Sequence, residues 1–178
     1  MNKRRISRVL LIASFAVILI LCGTVLAYMF RQTERIDNEF TPAHVSCKVV
    51  EEFDGVQKTS IKIKNTGNID SYLRVRLVSY WVDADGNIAP KPSEMPEIAL
   101  ASGWIKGDNN TYYYQRPVAP EQLTETLLSA PIILEEKDEN GYMQVLDVFA
   151  EAIQSKPHSA VIGSWGVTID SNGNIVSQ

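Results

Sequence analysis

Between Arg8 and Arg31 the chain carries no charged side chain over Val9–Phe30, a run of 22 residues, and Lys3, Arg4, Arg5 and Arg8 crowd the flank before it. About 20 predominantly apolar residues suffice to cross a bilayer as a helix, and a basic flank of this kind stays on the cytoplasmic side. The run closes with Gly23-Thr24-Val25-Leu26-Ala27, followed by Tyr28-Met29-Phe30-Arg31. Val25 and Ala27 suit the −3 and −1 positions of a signal peptidase site, which predicts cleavage between Ala27 and Tyr28 during Sec-type export. The competing reading is an uncleaved anchor over Val9–Phe30. Lipidation at Cys22 is a poor fit, because Leu21 stands where a small residue is wanted.

Either reading divides the chain in three. Residues 1–27 form the signal or anchor, 28–42 an amino-terminal extension, and 43–178 a folded domain. Beyond residue 27 lie all 21 acidic residues and 13 of the 17 basic ones, for a net charge of −8. An acidic exterior argues against nucleic acid as a partner. A domain of this length buries a sizeable core without cross-links. Cys47 has no partner for a disulfide once Cys22 is removed, and it alternates with Val45 and Val49 as a small core residue would.

The remaining pattern is period two. Over Ser71–Asp83, Leu73, Val75, Leu77 and Trp81 share one face, and Arg74, Arg76 and Tyr80 the other. Thr59–Lys64 alternates in the same way; Val45, Cys47 and Val49 predict another strand, and Trp165, Val167 and Ile169 a last one. Turns rich in Asp, Asn and Gly separate these runs, at Phe53-Asp54-Gly55, Asn65-Thr66-Gly67-Asn68, Asp85-Gly86-Asn87, Gly107-Asp108-Asn109-Asn110, Glu139-Asn140-Gly141 and Asn172-Gly173-Asn174. The prolines of Ala89–Gly103 predict a long loop. Tyr142–Gln154, apolar on both faces, predicts a central strand, and Lys156–Ser164 a short helix with Pro157 in its first turn. The fold class expected is all-β, a jelly-roll-like β-sandwich with one short helix, preceded by the amino-terminal signal or transmembrane helix.

Catalytic chemistry is hard to find. The chain has two histidines, His44 and His158, and no His-Glu-x-x-His run. It has no Gly-x-Ser-x-Gly elbow, and Cys47 has no histidine at a recognisable spacing. Glu51-Glu52 and Glu135-Glu136 read as solvated strand ends. Asp83–Ile88 and Asp170–Ile175 share a pattern of alternating oxygen-bearing side chains that calcium could use. The glycine comes too early for an EF-hand, however, and no terminal glutamate follows, so Asx-rich turns are the simpler reading. Tyr112-Tyr113-Tyr114 reads as a strand rather than a stacking platform. No catalytic residue, cofactor or metal site is expected.

The extension is more suggestive. Tyr28, Phe30, Ile36 and Phe40 fall on even positions, interrupted there by Gln32, Glu34 and Asn38, while the odd positions hold Met29 and then only polar residues from Arg31 to Glu39. On an extended chain this is one apolar strip with no partner strand close in sequence. It could be a linker, fold onto its own sheet, or add to the sheet edge of another copy.

Several segments, in order, resemble the TasA/camelysin family of Gram-positive bacteria, whose members carry a SipW-type signal peptide. They are Gly23–Tyr28, Asn38-Glu39-Phe40, Ile63-Lys64-Asn65-Thr66-Gly67-Asn68-Ile69-Asp70-Ser71-Tyr72-Leu73-Arg74-Val75-Arg76, Ala150–Gln154, and Ala160-Val161 before Trp165-Gly166-Val167. The chain departs from the family at Ala43-His44-Val45, where a glycine commonly follows the phenylalanine. The resemblance implies a jelly-roll-like sandwich with a structural role at the cell surface or in a biofilm matrix. It also implies that the amino-terminal strand completes the sheet of the next subunit, placing Tyr28, Phe30, Ile36 and Phe40 in a candidate self-assembly strand. Some relatives carry a metalloprotease label, which these residues do not support. The partners expected are other copies of the chain, matrix or cell-wall components, and a signal peptidase during export. The alternative is a membrane-anchored accessory module that binds a wall polymer or protein.

Overall fold

A computed structural model describes residues 3–32, 41–135 and 137–178, with side chains at the chain's start described from Arg8 to Met29. The chain divides into two units, Met1–Thr41 and Pro42–Gln178. In the first, helix α1 spans Lys3–Gln32. Its stretch Arg8–Met29 has a mean hydropathy of 2.9, is exposed throughout, and is long and apolar enough to cross a membrane. At 1.5 Å per residue, 22 residues cover about 33 Å, against a hydrocarbon core of about 30 Å. The hydroxyls of Ser14 and Thr24 donate to the carbonyls of Leu11 and Leu21 at 2.9 and 2.8 Å. Both polar groups are thus satisfied within the helix, as an apolar solvent demands.

The second unit is an all-β sandwich, as the alternation predicts. Strands β1 (Cys47–Phe53), β2 (Gln57–Asn65) and β6 (Ile132–Ile133) make one antiparallel sheet in the order β1-β2-β6. Strands β3 (Ser71–Val82), β4 (Trp104–Lys106), β5 (Thr111–Tyr114) and β7 (Met143–Gln154) make the other, ordered β4-β5-β3-β7. Helix α2 (His158–Trp165) follows, and β8 (Thr168–Ile169) pairs with β9 (Ile175–Ser177) as a terminal ribbon.

The main core lies between the two sheets. It joins Ile61 and Ile63 of β2 to Leu73, Val75 and Leu77 of β3, with Trp104, Tyr112, Tyr114, Leu127 and Leu146. Trp81 is buried as expected. A second cluster sits on the opposite face of the four-stranded sheet, where Tyr72 and Tyr113 meet Val161 and Trp165 of α2 and Ile175 of β9. This cluster explains why β3 is buried on both faces near its start: Tyr72, although out of phase with Leu73 and Val75, lies beneath α2.

Two expectations need correction. Trp165, Val167 and Ile169 are not one strand. Trp165 is the last residue of α2, and Gly166, in the left-handed region at φ 67°, returns its N–H to the Ile162 carbonyl and ends the helix. A strand resumes only at Thr168. Tyr142–Gln154 is not central either; β7 is the edge of its sheet and pairs only with β3. Its two apolar faces have separate causes. Leu146 faces the main core, Ile153 packs against the second cluster, and Phe149 is left 51 % exposed.

Candidate anchoring and assembly surfaces

The residues of the cleavage motif lie on α1. The helix passes through Val25, Ala27 and Tyr28 without a break and continues past Phe30 to Gln32. In the full chain, then, Tyr28 and Phe30 belong to a helix, where an extended strip was expected. The other two members of the candidate strand, Ile36 and Phe40, lie outside the described residues. Cys22 is exposed on the same helix.

Where the sandwich begins, the chain is fixed by the turn after β2. Asn68 donates from its backbone N–H to the His44 carbonyl at 3.0 Å and from Nδ2 to the Pro42 carbonyl at 2.9 Å. Its Oδ1 accepts the His44 N–H at 2.7 Å. The N–H groups of Thr66 and Gly67 both reach the Ser46 carbonyl, at 3.0 and 3.2 Å. Asn65, fully buried, holds this turn from within. Its Nδ2 donates to the carbonyls of Ile69 and Val118, both at 2.8 Å, and its Oδ1 accepts the Gly67 N–H at 2.9 Å. The run Asn65-Thr66-Gly67-Asn68 is thus a clamp on Pro42–Ser46, a role that turn propensity alone does not reveal.

The two Asx-rich runs, with a third at Asp138, form three loops of one design. In each, Oδ1 of an aspartate accepts the backbone N–H groups two and four residues on. The distances are 2.9 and 2.8 Å at Asp83, 2.8 and 3.0 Å at Asp138, and 2.9 and 2.8 Å at Asp170. The glycine three residues on has φ between 81° and 83° in all three: Gly86, Gly141 and Gly173. These carboxylates close the turns by accepting hydrogen bonds from the loop backbone. The hydrogen bonds hold all three aspartates below the ordinary carboxylate range. Asn87 is the main cause at Asp83, Lys91 at Asp138 and Asn174 at Asp170.

The remaining titratable groups are dispersed. His44 lies at the clamp and His158 opens α2, with its Nδ1 3.2 Å from the Tyr72 hydroxyl. The same hydroxyl donates to the Gly173 carbonyl at 2.7 Å. Glu51 pairs with Lys58 at 2.8 Å, Glu52 accepts the Thr59 hydroxyl, and Glu136 lies outside the described residues. Burial, and next the Glu151 carboxylate, push the Cys47 thiol up, which favours its protonated form. Tyr112, Tyr113 and Tyr114 are all buried and offer no stacking platform. Among the described residues no group of three His, Cys, Asp or Glu side chains is placed to hold a metal. Compared with known proteins, the chain matches no family model, no curated protein and no solved structure.

Proposed function

We propose that this is an exported, non-enzymatic structural protein of the cell surface or biofilm matrix, which self-assembles by β-strand addition. One observation carries the reading: an exposed, membrane-length apolar helix precedes an acidic β-sandwich with a long, regular sheet edge at β7. The helix gives the route out of the cytoplasm. Sheet edges are natural sites for a strand from another chain. The resemblance to TasA and camelysin, read from the segments quoted above, supports the same role. In this reading Tyr28–Phe40 is the donor strand after cleavage behind Ala27. The test is removal of residues 28–40 from the secreted chain. A folded monomer with an intact circular-dichroism spectrum but no polymers supports the reading; unimpaired polymerisation rejects it.

A second reading is favoured by the unbroken course of α1 through Val25, Ala27 and Tyr28. Left uncleaved, that helix is long and apolar enough to span a bilayer. The sandwich would then be tethered to the membrane as an accessory module for a wall polymer or protein. Intact-mass analysis separates the two readings, since only the tethered form retains α1.

A further inference from the structure

The long edge of β7 is chemically specific. In β3, Leu77 donates its N–H to the Asn110 carbonyl, and Ser71 exchanges both backbone bonds with Val118. Odd-numbered residues of β3 therefore turn their backbone groups toward β5, and even-numbered ones toward β7. The register pairs Arg74 with Glu151, Arg76 with Phe149 and Val78 with Asp147, so the odd residues of β7 are bonded to β3. Its even residues must turn N–H and C=O to the open side. The Gln144 N–H does so and finds the Glu135 carbonyl at 3.1 Å. Among the described residues, no backbone partner meets the outward groups of Leu146, Val148, Ala150 and Ala152, although β1 of the other sheet lies close to β7.

The other edges are guarded. Strand β1 carries Lys48, Glu51 and Glu52 and an irregular register between Glu52 and Phe53. Strands β4 and β6 are three and two residues long. By contrast β7 runs twelve residues in unbroken register, with no lysine, arginine, proline or glycine. Charges, irregularities and shortness are the devices by which proteins blunt an edge; β7 carries two charges, Asp147 and Glu151, but of the edge strands β1, β4, β6 and β7 it alone is both long and regular.

We infer that β7 pairs edge to edge with β7 of a second copy of this chain, antiparallel, joining the two four-stranded sheets into one. The four open residues are self-complementary. With Leu146 opposite Ala152 of the second copy and Val148 opposite Ala150, every outward N–H and C=O of the four finds a partner. The same register puts the two Phe149 side chains face to face on the outer surface, in a non-hydrogen-bonded pair where side chains approach most closely. It also places Val145 against Ile153. Asp147 comes opposite Glu151, a like-charge pair that counts against the register and is eased because each carboxylate is already engaged in its own sheet. Asp147 accepts the Tyr80 hydroxyl at 2.8 Å, and Glu151 accepts Arg74 at 2.7 Å. Arg76 is exposed beside Phe149 and has no ion-pair partner among the described residues. The inference rests on the self-association proposed above, but needs nothing of the Tyr28–Phe40 segment.

Mild oxidation of the full chain carrying Cys22→Ser, Cys47→Ser and Phe149→Cys tests it. Paired non-hydrogen-bonded positions have the short Cβ separation that a disulfide requires, so a covalent dimer is expected. Val78→Cys in the same background should remain monomeric. It is exposed on the same face, but three strand spacings, about 14 Å, separate it from its counterpart. In the unmodified chain, amide exchange at Leu146, Val148, Ala150 and Ala152 should slow as concentration rises, and Phe149→Lys should abolish that slowing. Exchange that stays fast at every concentration overturns the inference. So does concentration-dependent protection without the Phe149→Cys dimer: another strand then occupies the edge, and assembly by strand addition stands. If the copies never associate, the inference and the reading beneath it both fall.

Discussion

Gly67 lies against the backbone of His44 so closely that a Cβ at position 67 would fall well inside van der Waals contact with the His44 carbonyl oxygen and 3.0 Å from the Ser46 nitrogen. Both obstacles are backbone, and neither can rotate aside. Gly67→Ala must therefore displace Pro42–Ser46 and loosen the hydrogen bonds that hold it. We expect a loss of about 1–3 kcal/mol, the usual cost of forcing extra volume into a packed site, read as a lower midpoint in chemical denaturation.

Asn65→Ala should cost at least as much. It removes three buried hydrogen bonds, at roughly 0.5–1.5 kcal/mol each, while the Ile69 carbonyl keeps the Ser71 hydroxyl, the Val118 carbonyl the Ser71 N–H and the Gly67 N–H the Ser46 carbonyl. Asn65→Asp is expected to be no milder, since it turns an acceptor toward two carbonyls. A denaturation midpoint unchanged by either substitution would show that the clamp does not hold the fold.

Much of the sandwich was legible in the sequence because one face of each long strand is wet. Arg74 and Arg76 mark the outer face of β3, and Lys62 and Lys64 alternate with Ile61 and Ile63. The signal fades where both faces are covered. Tyr72 falls out of phase because α2 lies over it, and β7 resembles a central strand because its outer face meets α2 at Ile153. Trp165 patterns with Val167 and Ile169 because a helix end and a strand start share an apolar pattern, and only the left-handed Gly166 divides them. The Thr124–Leu134 segment escaped notice altogether. It makes few regular pairs, yet it buries Leu127, Leu128, Ile132 and Leu134 and meets β2 through bonds from Thr124 to Ile63 and Leu127 to Ile61. Sequence pattern has no template for such an irregular edge.

Val75 sits in the middle of the core with none of its surface exposed. Val75→Asp would bury a carboxylate with no cation beside it, and should destabilise by several kcal/mol or prevent folding. The check is the fraction of folded protein, followed by its urea midpoint.

Acid should weaken the turns. Asp54, Asp83, Asp138 and Asp170 are all held below the ordinary carboxylate range, chiefly by backbone N–H donors, and at Asp138 first by Lys91. For a carboxylate whose folded pKa is depressed, the stabilisation is complete above the unfolded value of about 3.9 and is lost as pH falls through the folded value. The melting temperature should therefore hold steady from neutral pH to about 5 and decline below about 4. A variant with Asp83→Asn, Asp138→Asn and Asp170→Asn should show a shallower decline. An identical acid slope would show that these carboxylates contribute nothing.

Cys47 should react slowly. With its thiol pushed up by burial and by Glu151, alkylation by iodoacetamide at neutral pH should lag that of a free cysteine and catch up only on denaturation. Rapid labelling of the folded chain would place the thiol in a reactive setting.

The central claim is a chain that leaves the cytoplasm and builds polymers from its sandwich. Sedimented polymer from the culture medium, dissociated and measured by intact mass, tests it most directly. The account predicts a chain that begins at Tyr28, with α1 removed after Ala27. Polymer whose chains begin at Met1 or Asn2, or an extracellular chain that stays monomeric at every concentration and pH, would contradict it.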